Sequence, residues 1–289
     1  MKILLFGGSG QLGFEIRQRA HALNFNLVAP VSSEVDVGSE SQVLALADRV
    51  RPDVIINSAA YTAVDKAEVE KDAAYRINRD GARNSAIAAE KYCARTVFVS
   101  TDYVFSGDGN TPLKESDPVD PQSVYGASKL AGENEVLSVL GSKALVVRTS
   151  SLHGQKGLNF VGTMLKLFAD KPEVKVVYDQ WMSPTWAGWL AEVILDLLRT
   201  EASGVVHASG DGATTWFDFA AAIREFGTPT SPVRLSKITA AEFGRPAKRP
   251  VYSVFDCSKL TSILGREPID WREGLKRHLR DLGIPPINH

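Results

Sequence analysis

Near its N-terminus the chain reads Lys2-Ile3-Leu4-Leu5-Phe6-Gly7-Gly8-Ser9-Gly10-Gln11-Leu12-Gly13, the segment that is most informative about its fold. The apolar run up to Phe6 is typical of a short buried strand, and a helical pattern extends from Phe14 to about Ala22. The glycines between them fit G-x-x-G-x-x-G and also G-x-G-x-x-G. Such glycines allow a tight turn, close approach of the backbone to a pyrophosphate, and close packing of helix on strand. A glycine-rich structural turn is the alternative, but the flanking strand and helix favour a dinucleotide site.

Strand-like and helix-like segments alternate through the first half of the chain. We predict strands at 26–29, 53–57, 96–100 and 143–147, and helices at 39–50, 63–75, 80–92 and 125–140. The helix at 39–50 is predicted to begin with a capping box, Ser39-Glu40-Ser41-Gln42. Short apolar strands that alternate with helices indicate a parallel sheet covered on both faces. The predicted fold class is therefore α/β, a Rossmann-type doubly wound parallel sheet, with ligands at the carboxyl ends of the strands.

The second half of the chain has a looser pattern, which suggests a smaller lobe. A strand at Val174–Val177 and a helix at Gly188–Arg199 are predicted to complete the sheet. Gly204–His207 and a helix at Trp216–Phe226 are assigned to the lobe, and Thr228–Pro250 to a substrate-side loop region. The predicted domains are thus 1–150, an NAD(P)-binding Rossmann domain completed by 174–200, and 151–289, mainly a C-terminal substrate-binding lobe.

Composition argues against several classes of function. The 289 residues are 44% hydrophobic and 23% charged, which is ordinary for a globular protein. The net charge of −1 gives no electrostatic reason to expect nucleic acid or a membrane surface as a partner. No apolar run is long enough to span a bilayer. Two cysteines, Cys93 and Cys257, form no disulfide framework and favour a reducing compartment, so we predict a cytoplasmic protein.

Tyr125 and Lys129 stand one helical turn apart, so their side chains share a helix face. The strand at 96–100 runs into Thr101, whose hydroxyl would reach the same edge of the sheet. A nearby ammonium lowers the pKa of a tyrosine from its usual ~10. Such a trio can protonate a carbonyl oxygen while a hydride reaches its carbon. Tyr-x-x-x-Lys also arises by chance, and a strand-end hydroxyl also serves as a simple cap, so this prediction depends on the remaining motifs.

Longer blocks of sequence carry a resemblance to a known family. They are Asn57–Glu68 (NSAAYTAVDKAE), Ser100–Gly107 (STDYVFSG), Val124–Glu133 (VYGASKLAGE), Asp179-Gln180, Pro184-Thr185 and Arg249-Pro250. Together with the glycine loop they resemble the extended short-chain dehydrogenase/reductases and, among these, the dTDP-4-dehydrorhamnose reductases. The resemblance runs from residue 1 to about residue 250.

The resemblance implies a reaction and a role for each catalytic residue. Such enzymes use NADPH to reduce the C4 ketone of dTDP-4-dehydro-6-deoxy-L-mannose to dTDP-L-rhamnose, the last step of that pathway. The substrate is thus a dTDP-linked 4-keto-6-deoxyhexose. Tyr125 would donate the proton, Lys129 would bind the nicotinamide ribose and lower the pKa of the tyrosine, and Thr101 would hydrogen-bond the carbonyl oxygen.

The cofactor contacts implied by the resemblance lie in three segments and on the catalytic helix. They are Gly7, Gly10, Gln11, Leu12, Gly13, Asp36, Val37, Ala60, Tyr61, Thr62, Tyr125 and Lys129. NAD-specific sites hold the ribose with an acid about 20 residues past the glycines. Here the predicted second strand ends without a carboxylate, and Ser32 and Ser33 can bond a 2′-phosphate, although no arginine is near in sequence and Glu34 would disfavour one. We predict NADPH, with NADH also usable.

The predicted substrate contacts are Thr101, Asp102, Tyr103, Ser151, Asn159 and Arg249. Asn159 begins a predicted helix whose N–H groups would face a diphosphate. Arg249 is the best diphosphate clamp because a guanidinium pairs two oxygens, the alternative being a surface charge. The family often has aromatic residues after Arg-Thr-Ser, whereas here Ser151 follows, so the sugar itself stays open. His153 is interpreted as structural.

Some family members are associated with Mg²⁺ held by glutamates at a subunit interface. Glu15 falls at one such position, but the second expected position is Trp189, with Glu192 three residues later. We therefore expect no tight magnesium site and interpret Glu15 as an exposed acid in the first turn of a helix. A homodimer is implied by the resemblance alone.

Two other functions remain open from the sequence. An epimerase or dehydratase of the same superfamily would return the hydride to its substrate. Dehydratases use a Thr-Asp-Glu arrangement, and here Thr101-Asp102 is followed by Tyr103, which argues against dehydration but not against epimerisation. A non-catalytic NADP-binding regulatory subunit is the other alternative, and the intact Thr101, Tyr125 and Lys129 argue against it.

Overall fold

The computed structural model describes residues 1–228 and 232–285. The strands are β1 Lys2–Phe6, β2 Asn26–Val28, β3 Val54–Asn57, β4 Arg95–Thr101, β5 Ala144–Thr149, β6 Leu152–His153, β7 Glu173–Val177, β8 Trp181–Met182, β9 Thr185–Trp186, β10 Gly204–His207, β11 Thr214–Thr215, β12 Arg234–Ile238 and β13 Tyr252–Ser253.

The helices follow the same chain order. They are α1 Gln11–Ala22, α2 Glu40–Val50, α3 Val64–Ala67, α4 Lys71–Tyr75, α5 Gly81–Lys91, α6 Val124–Leu140, α7 Phe160–Asp170, α8 Ala187–Leu197, α9 Trp216–Gly227, α10 Ala240–Phe243, α11 Ser258–Leu264 and α12 Trp271–Asp281. A π-helical turn, Arg76–Asp80, joins α4 to α5. No helix within the described ranges is long and apolar enough to cross a membrane.

A six-stranded parallel sheet in the order β10-β5-β4-β3-β1-β2 forms the centre of the molecule. The chain leaves β1 on one side to form β2 and returns on the other side to form β3. The carboxyl ends of β1 and β3 therefore flank the point at which the strand order reverses, where such sheets bind their ligands. The predicted Rossmann-type α/β fold is confirmed.

The core lies in two layers, one on each face of this sheet. Successive side chains of a strand point to opposite faces, so Ile3 and Leu5 pack against α1 and α8, while Leu4 and Phe6 pack against α2, α5 and α6. These four side chains of β1 are almost completely buried. Burial on both faces explains why the strand is an unbroken apolar run rather than an alternating pattern.

Two predictions about the completion of the sheet were wrong. The sixth strand is β10, which pairs with β5 and had been assigned to the lobe, whereas β7 pairs with β12 in a separate two-stranded sheet. Exposed and buried residues alternate at the start of β7, as in a sheet with one solvated face. The predicted helix at 188–199 is present as α8 and packs on the central sheet. The division into domains at residue 150 stays a prediction.

A separate cluster of apolar side chains forms the core of the smaller lobe. It joins α7, α9 and α12 to β7 around Phe219 and Trp271. The segment predicted as a loop, Thr228–Pro250, contains β12 and α10 within its described part, residues 229–231 lying outside it. The strand β12 forms because its backbone pairs with β7.

Two local predictions near the N-terminal half were also wrong. Helix α2 begins at Glu40 after Ser39, but the capping box is absent, because the Ser39 hydroxyl pairs with that of Ser41 and Gln42 accepts from the Asp36 amide. The predicted helix at 63–75 is divided into α3 and α4.

Candidate active site

A cavity of about 1690 Å³ opens at the carboxyl ends of the central strands. Every residue predicted to contact cofactor or substrate lines it: Gly7, Gly10, Gln11, Leu12, Gly13, Asp36, Val37, Ala60, Tyr61, Thr62, Thr101, Asp102, Tyr103, Tyr125, Lys129, Ser151, Asn159 and Arg249. The parallel sheet brings most of these segments to one edge because they follow strands that end there, while Asn159 and Arg249 come from outside that sheet. The structure thus brings the candidates together, and their individual roles stay predictions.

The glycine loop needs its glycines for steric reasons. Gly7 has a φ of +80°, and a Cβ there would lie 2.5 Å from the Ala59 amide nitrogen. A Cβ on Gly13 would lie 2.1 Å from the Gly7 carbonyl oxygen, so α1 packs closely on the loop only without a side chain. Gly10 precedes α1 and supplies no side-chain cap. The N–H groups of the first helical turn are therefore open to a phosphate.

Arg76 lines the same cavity and was missed from the sequence. It pairs with Asp36 at 2.5 Å, and Ser32 also lines this part of the site. Partial burial alone would raise the pKa of Asp36, but the hydrogen bonds from Arg76 and the Gly38 amide, together with the charge of Arg76, lower that pKa. The sequence shows no arginine near Ser32 because Arg76 is 40 residues from Asp36 along the chain. In the folded protein Arg76 nevertheless lies at this end of the site.

Helix α6 delivers Tyr125 and Lys129 from a fixed N-terminus. The Ser123 hydroxyl accepts a hydrogen bond from the Gly126 amide at 3.2 Å, and Glu68 accepts one from the Val124 amide at 2.9 Å. Gly126 packs so closely on the Tyr103 carbonyl that a Cβ would lie 2.2 Å from its oxygen. The catalytic helix therefore begins against the segment that follows Thr101.

The phenol of Tyr125 meets the hydroxyl of Thr101 in the floor of the cavity. Burial raises the pKa of Tyr125 above its usual value, and the hydrogen bond with Thr101 offsets part of that rise. The phenol is therefore protonated at neutral pH and can serve as a proton donor. Thr101 is only 6% exposed, so water does not replace its partners.

Lys129 is buried at the base of the site. Its ammonium donates to the Val99 carbonyl at 2.6 Å and stands 3.9 Å from the centre of the Phe98 ring. Burial lowers the pKa of Lys129 to about 7, and the Glu133 carboxylate opposes this shift. In the free protein the pKa of Tyr125 is thus raised by burial rather than lowered by Lys129, contrary to the expectation from spacing.

The carboxyl of Asp102 stands behind Thr101 in a nest of hydroxyl groups. It accepts hydrogen bonds of 3.0 Å from Thr101 and from Ser150, and Ser253 also bonds it. Burial raises the pKa of Asp102. Ser150, which follows β5, and Ser253, in β13, were not among the predicted site residues. They lie far apart in the chain. These bonds fix the position of the Thr101 hydroxyl.

The substrate side of the cavity contains Tyr103, Arg249 and Asn159. The Tyr103 ring meets the Tyr125 ring edge-on at 5.4 Å, and burial raises the pKa of Tyr103 to about 12. Asn159 caps α7 by accepting from Gly162 at 3.1 Å, so its side chain is occupied while the helix N-terminus faces the cavity. Arg249 is not a free surface charge, because it pairs with Asp65 at 3.0 Å.

Ser151 borders the cavity with an unusual backbone. Its φ is +46°, and its hydroxyl lies 3.4 Å from that of Ser150. His153, two residues later, is buried with its Nδ1 atom 3.0 Å from Nδ1 of His278 and is not among the residues that line the cavity. The structural interpretation of His153 fits this position.

The surroundings of Glu15 do not fit a magnesium ion. Glu15 is buried rather than exposed, which corrects the prediction, and it pairs with Arg19 at 2.5 Å. Arg19 also pairs with Glu192 at 3.0 Å and lies 5.2 Å from the centre of the Trp186 ring. A guanidinium thus occupies the place between the two carboxylates. No group of three or more metal-ligating side chains occurs within residues 1–228 and 232–285.

Known proteins with similar sequences belong to the family that the sequence motifs resemble. The family model described as RmlD substrate binding domain matches residues 1–284. The dTDP-4-dehydrorhamnose reductase of Escherichia coli (strain K12) is 39% identical, with 98% of each chain covered. A Streptomyces antibioticus protein described as probable dTDP-4,6-dihydroxy-2-methyloxan-3-one 4-ketoreductase is 37% identical over 98% of this chain and 96% of its own.

A solved structure agrees in sequence and in fold. It is dTDP-4-dehydrorhamnose reductase from Bacillus anthracis str. Ames in complex with NADP, with a TM-score of 0.92 and 38% identity. The similarity covers 97% of this chain and 100% of that chain. The resemblance drawn from the sequence is confirmed, and this chain belongs to the RmlD substrate binding domain family, together with the dTDP-4-dehydrorhamnose reductases.

Proposed function

We propose that this protein is an NADPH-dependent oxidoreductase that reduces the C4 ketone of dTDP-4-dehydro-6-deoxy-L-mannose to dTDP-L-rhamnose. The observation that carries the proposal is the single cavity in which Thr101, Tyr125 and Lys129 meet the Gly7–Gly13 loop. Family membership supports the substrate class, because relatives of high coverage carry the name of this activity. The reaction completes the synthesis of dTDP-rhamnose.

When bound, the reduced nicotinamide supplies the hydride that forms the new C–H bond at C4 as the C=O double bond becomes single. Tyr125 gives its phenolic proton to the sugar oxygen. Thr101 donates its single hydroxyl proton to Asp102 in the free protein and would turn that proton to the sugar oxygen to orient the ketone. Lys129 would hold the nicotinamide ribose with the N–H donors that its bond to the Val99 carbonyl leaves free, and its charge would stabilise the phenolate that Tyr125 becomes.

The cofactor preference is proposed to favour NADPH over NADH. Ser32 and Arg76 line the end of the cavity next to Asp36, where a 2′-phosphate needs a donor and a positive charge. The Bacillus anthracis relative was solved with NADP. Steady-state KM values for the two cofactors test the preference, and a lower KM for NADH would contradict it.

A coupled assay tests the reaction itself. A dTDP-glucose dehydratase and an epimerase generate the 4-keto sugar, and absorbance follows the consumption of NADPH by this protein. We expect one NADP⁺ released per dTDP-rhamnose formed. An epimerase would release no oxidised cofactor. Protein that binds NADPH but reduces no 4-keto sugar would be the regulatory subunit of the alternative hypothesis.

A second candidate function is reduction of a different dTDP-linked 4-keto-6-deoxyhexose. The position of Ser151 favours it, because a small polar residue borders the cavity where the family often has an aromatic one. The Streptomyces antibioticus relative is described as a 4-ketoreductase of another sugar. Comparison of kcat/KM for several 4-keto sugars decides between the two, and a marked preference for another sugar would replace the first candidate.

We propose that the protein forms a homodimer and lies in the cytoplasm. The homodimer is inferred from the family resemblance, and the location from the presence of only two cysteines. Light scattering after size-exclusion chromatography measures the mass, and a monomeric mass would contradict the homodimer. Fractionation of the source cells tests the location.

A further inference from the structure

Asp65 lies behind the cavity and holds two arginines that line it. Its carboxylate accepts from Arg249 at 3.1 and 3.0 Å, one bond to each oxygen, and from Arg245 at 3.1 Å. It also accepts from the Ala247 amide at 3.2 Å. Both arginines line the cavity, whereas Asp65 is not among its lining residues. The carboxylate therefore orients the guanidinium groups without occupying the place of a ligand.

These contacts keep Asp65 ionised over the working pH range. Partial burial alone would raise the pKa of Asp65, but the bonds from Arg249, Ala247 and Arg245 outweigh it and hold that pKa at about 2. The Asp65 side chain is 29% exposed and that of Arg249 is 16% exposed. The paired contact has fork geometry, which fixes the plane of the Arg249 guanidinium.

Arg249 has a second partner on the catalytic side of the cavity. It hydrogen-bonds the Tyr103 side chain, whose ring packs edge-on against Tyr125. Pro250 packs on Gly107, where a Cβ would lie 2.4 Å from the proline, so the arginine is anchored on both sides. A guanidinium has five N–H donors, of which Arg249 uses two for Asp65, one for the Ala247 carbonyl and one for Tyr103, so one donor remains for an anionic ligand.

Helix α3 connects this arginine to the other parts of the site. Glu68, three residues after Asp65, accepts the Val124 amide at the start of the catalytic helix. The predicted cofactor segment Ala60–Thr62 comes immediately before α3. One short segment thus holds the substrate-side arginines through Asp65 and the catalytic helix through Glu68.

We propose that Asp65 is a positioning residue, which aims the Arg249 guanidinium at the diphosphate of the nucleotide sugar. The proposal rests on the proposed function for the identity of the ligand, a nucleoside diphosphate group. Asp65 acts through Arg249 and does not touch substrate.

The test measures binding and turnover separately in Asp65→Asn, which removes the charge and keeps the shape of the side chain. Calorimetric titration of dTDP into protein saturated with NADP⁺ should give a Kd roughly tenfold higher than wild type, the value of one charge-assisted bond. KM for the nucleotide sugar should rise by the same factor, while kcat and KM for NADPH stay unchanged. The matched control is Asp72→Asn, an exposed acid on the next helix, α4, which should leave all values unchanged.

A double-variant cycle separates positioning from general loss of structure. If Asp65 acts through Arg249, adding Asp65→Asn to Arg249→Gln should raise the Kd for dTDP no further. Additive effects, an unchanged or lower Kd in the single variant, or equal weakening of NADP⁺ and dTDP would each overturn the proposal. Wild-type protein that fails to bind dTDP would overturn it too. Because dTDP binding needs no turnover, a protein that binds dTDP but reduces no sugar refutes only the proposed function.

Discussion

At the scale of single residues, the Tyr125 phenol combines a raised pKa with one hydroxyl partner. Its proton is retained at neutral pH until an alkoxide forms next to it, because burial disfavours the phenolate. The neighbouring Thr101 donates to the Asp102 carboxyl, which fixes the position of its hydroxyl oxygen. The arrangement suits a donor that transfers its proton only when a stronger base appears.

Removal of that hydroxyl group tests the assignment. Tyr125→Phe should lower kcat by roughly 10²- to 10⁴-fold, the usual value of a positioned acid, while the Kd for NADPH stays near that of wild type. Stopped-flow turnover and fluorescence titration measure the two quantities. Tyr92→Phe is the control, because Tyr92 pairs with Asp48 away from the cavity. Retained turnover in Tyr125→Phe would exclude Tyr125 as the proton donor.

Arg76 is the residue that we expect to distinguish the two cofactors. Arg76→Gln should raise KM for NADPH roughly tenfold through the loss of one charged contact, and KM for NADH should not rise. Arg79→Gln, on the same π-helical turn and paired with Asp80, is the matched control. Equal changes in both KM values would show that Arg76 does not contact a 2′-phosphate.

At the scale of elements, helix α6 and strand β5 are joined by a buried ion pair. Glu133 lies one turn beyond Lys129 and pairs with Arg148 at 2.6 Å, with the two side chains 1% and 5% exposed. Ser100 of β4 also donates to Glu133. Because α6 and β4 carry the three catalytic residues, this cluster fixes their relative position.

Breaking the pair should destabilise the protein strongly. Arg148→Met removes the hydrogen-bonded counter-charge of the buried Glu133 and should lower the free energy of unfolding by about 3–5 kcal/mol. The double change Glu133→Leu with Arg148→Met should restore part of that loss, because the unpaired carboxylate is gone. Chemical denaturation measures both. The exposed pair of Arg83 with Glu40 is the control, and Arg83→Met should cost less than about 1 kcal/mol. A similarly small cost for Arg148→Met would contradict the argument.

At the scale of the whole molecule, the cavity joins the central sheet to the smaller lobe. Its lining runs from Gly7 at the end of β1 to Trp216 at the start of α9. A ligand that fills the cavity therefore contacts residues of the core on the central sheet and of the apolar cluster in the lobe, and its binding stabilises the folded state of both regions.

Cofactor binding should then stabilise the molecule as a unit. NADP⁺ at 100 times its Kd should raise the free energy of unfolding by about 2.7 kcal/mol. Differential scanning calorimetry with and without NADP⁺ measures the shift. A single transition that moves to higher temperature is expected. Two transitions, of which only one moves, would show that the predicted Rossmann domain and lobe unfold separately.

The sequence predicted most of the sheet and the residues of the site. Each central strand except β10 was predicted, because strands buried on both faces are apolar runs between helices. Gly204–His207 was misassigned because a short apolar run does not reveal which sheet it joins. The capping box predicted at Ser39 is absent because the Gln42 side chain accepts a hydrogen bond from the Asp36 amide instead.

The glycine loop, the alternation of strands and helices, and the shared face of Tyr125 and Lys129 are all readable from the residues alone. They follow from local sterics and helical spacing, which act between residues close in the chain. The pairing of Arg76 with Asp36, the contact of Asp65 with Arg249, and the rise of the Tyr125 pKa on burial come from the folded chain. Those features depend on groups 40 to 184 residues apart and on the exclusion of water, which chain spacing does not encode.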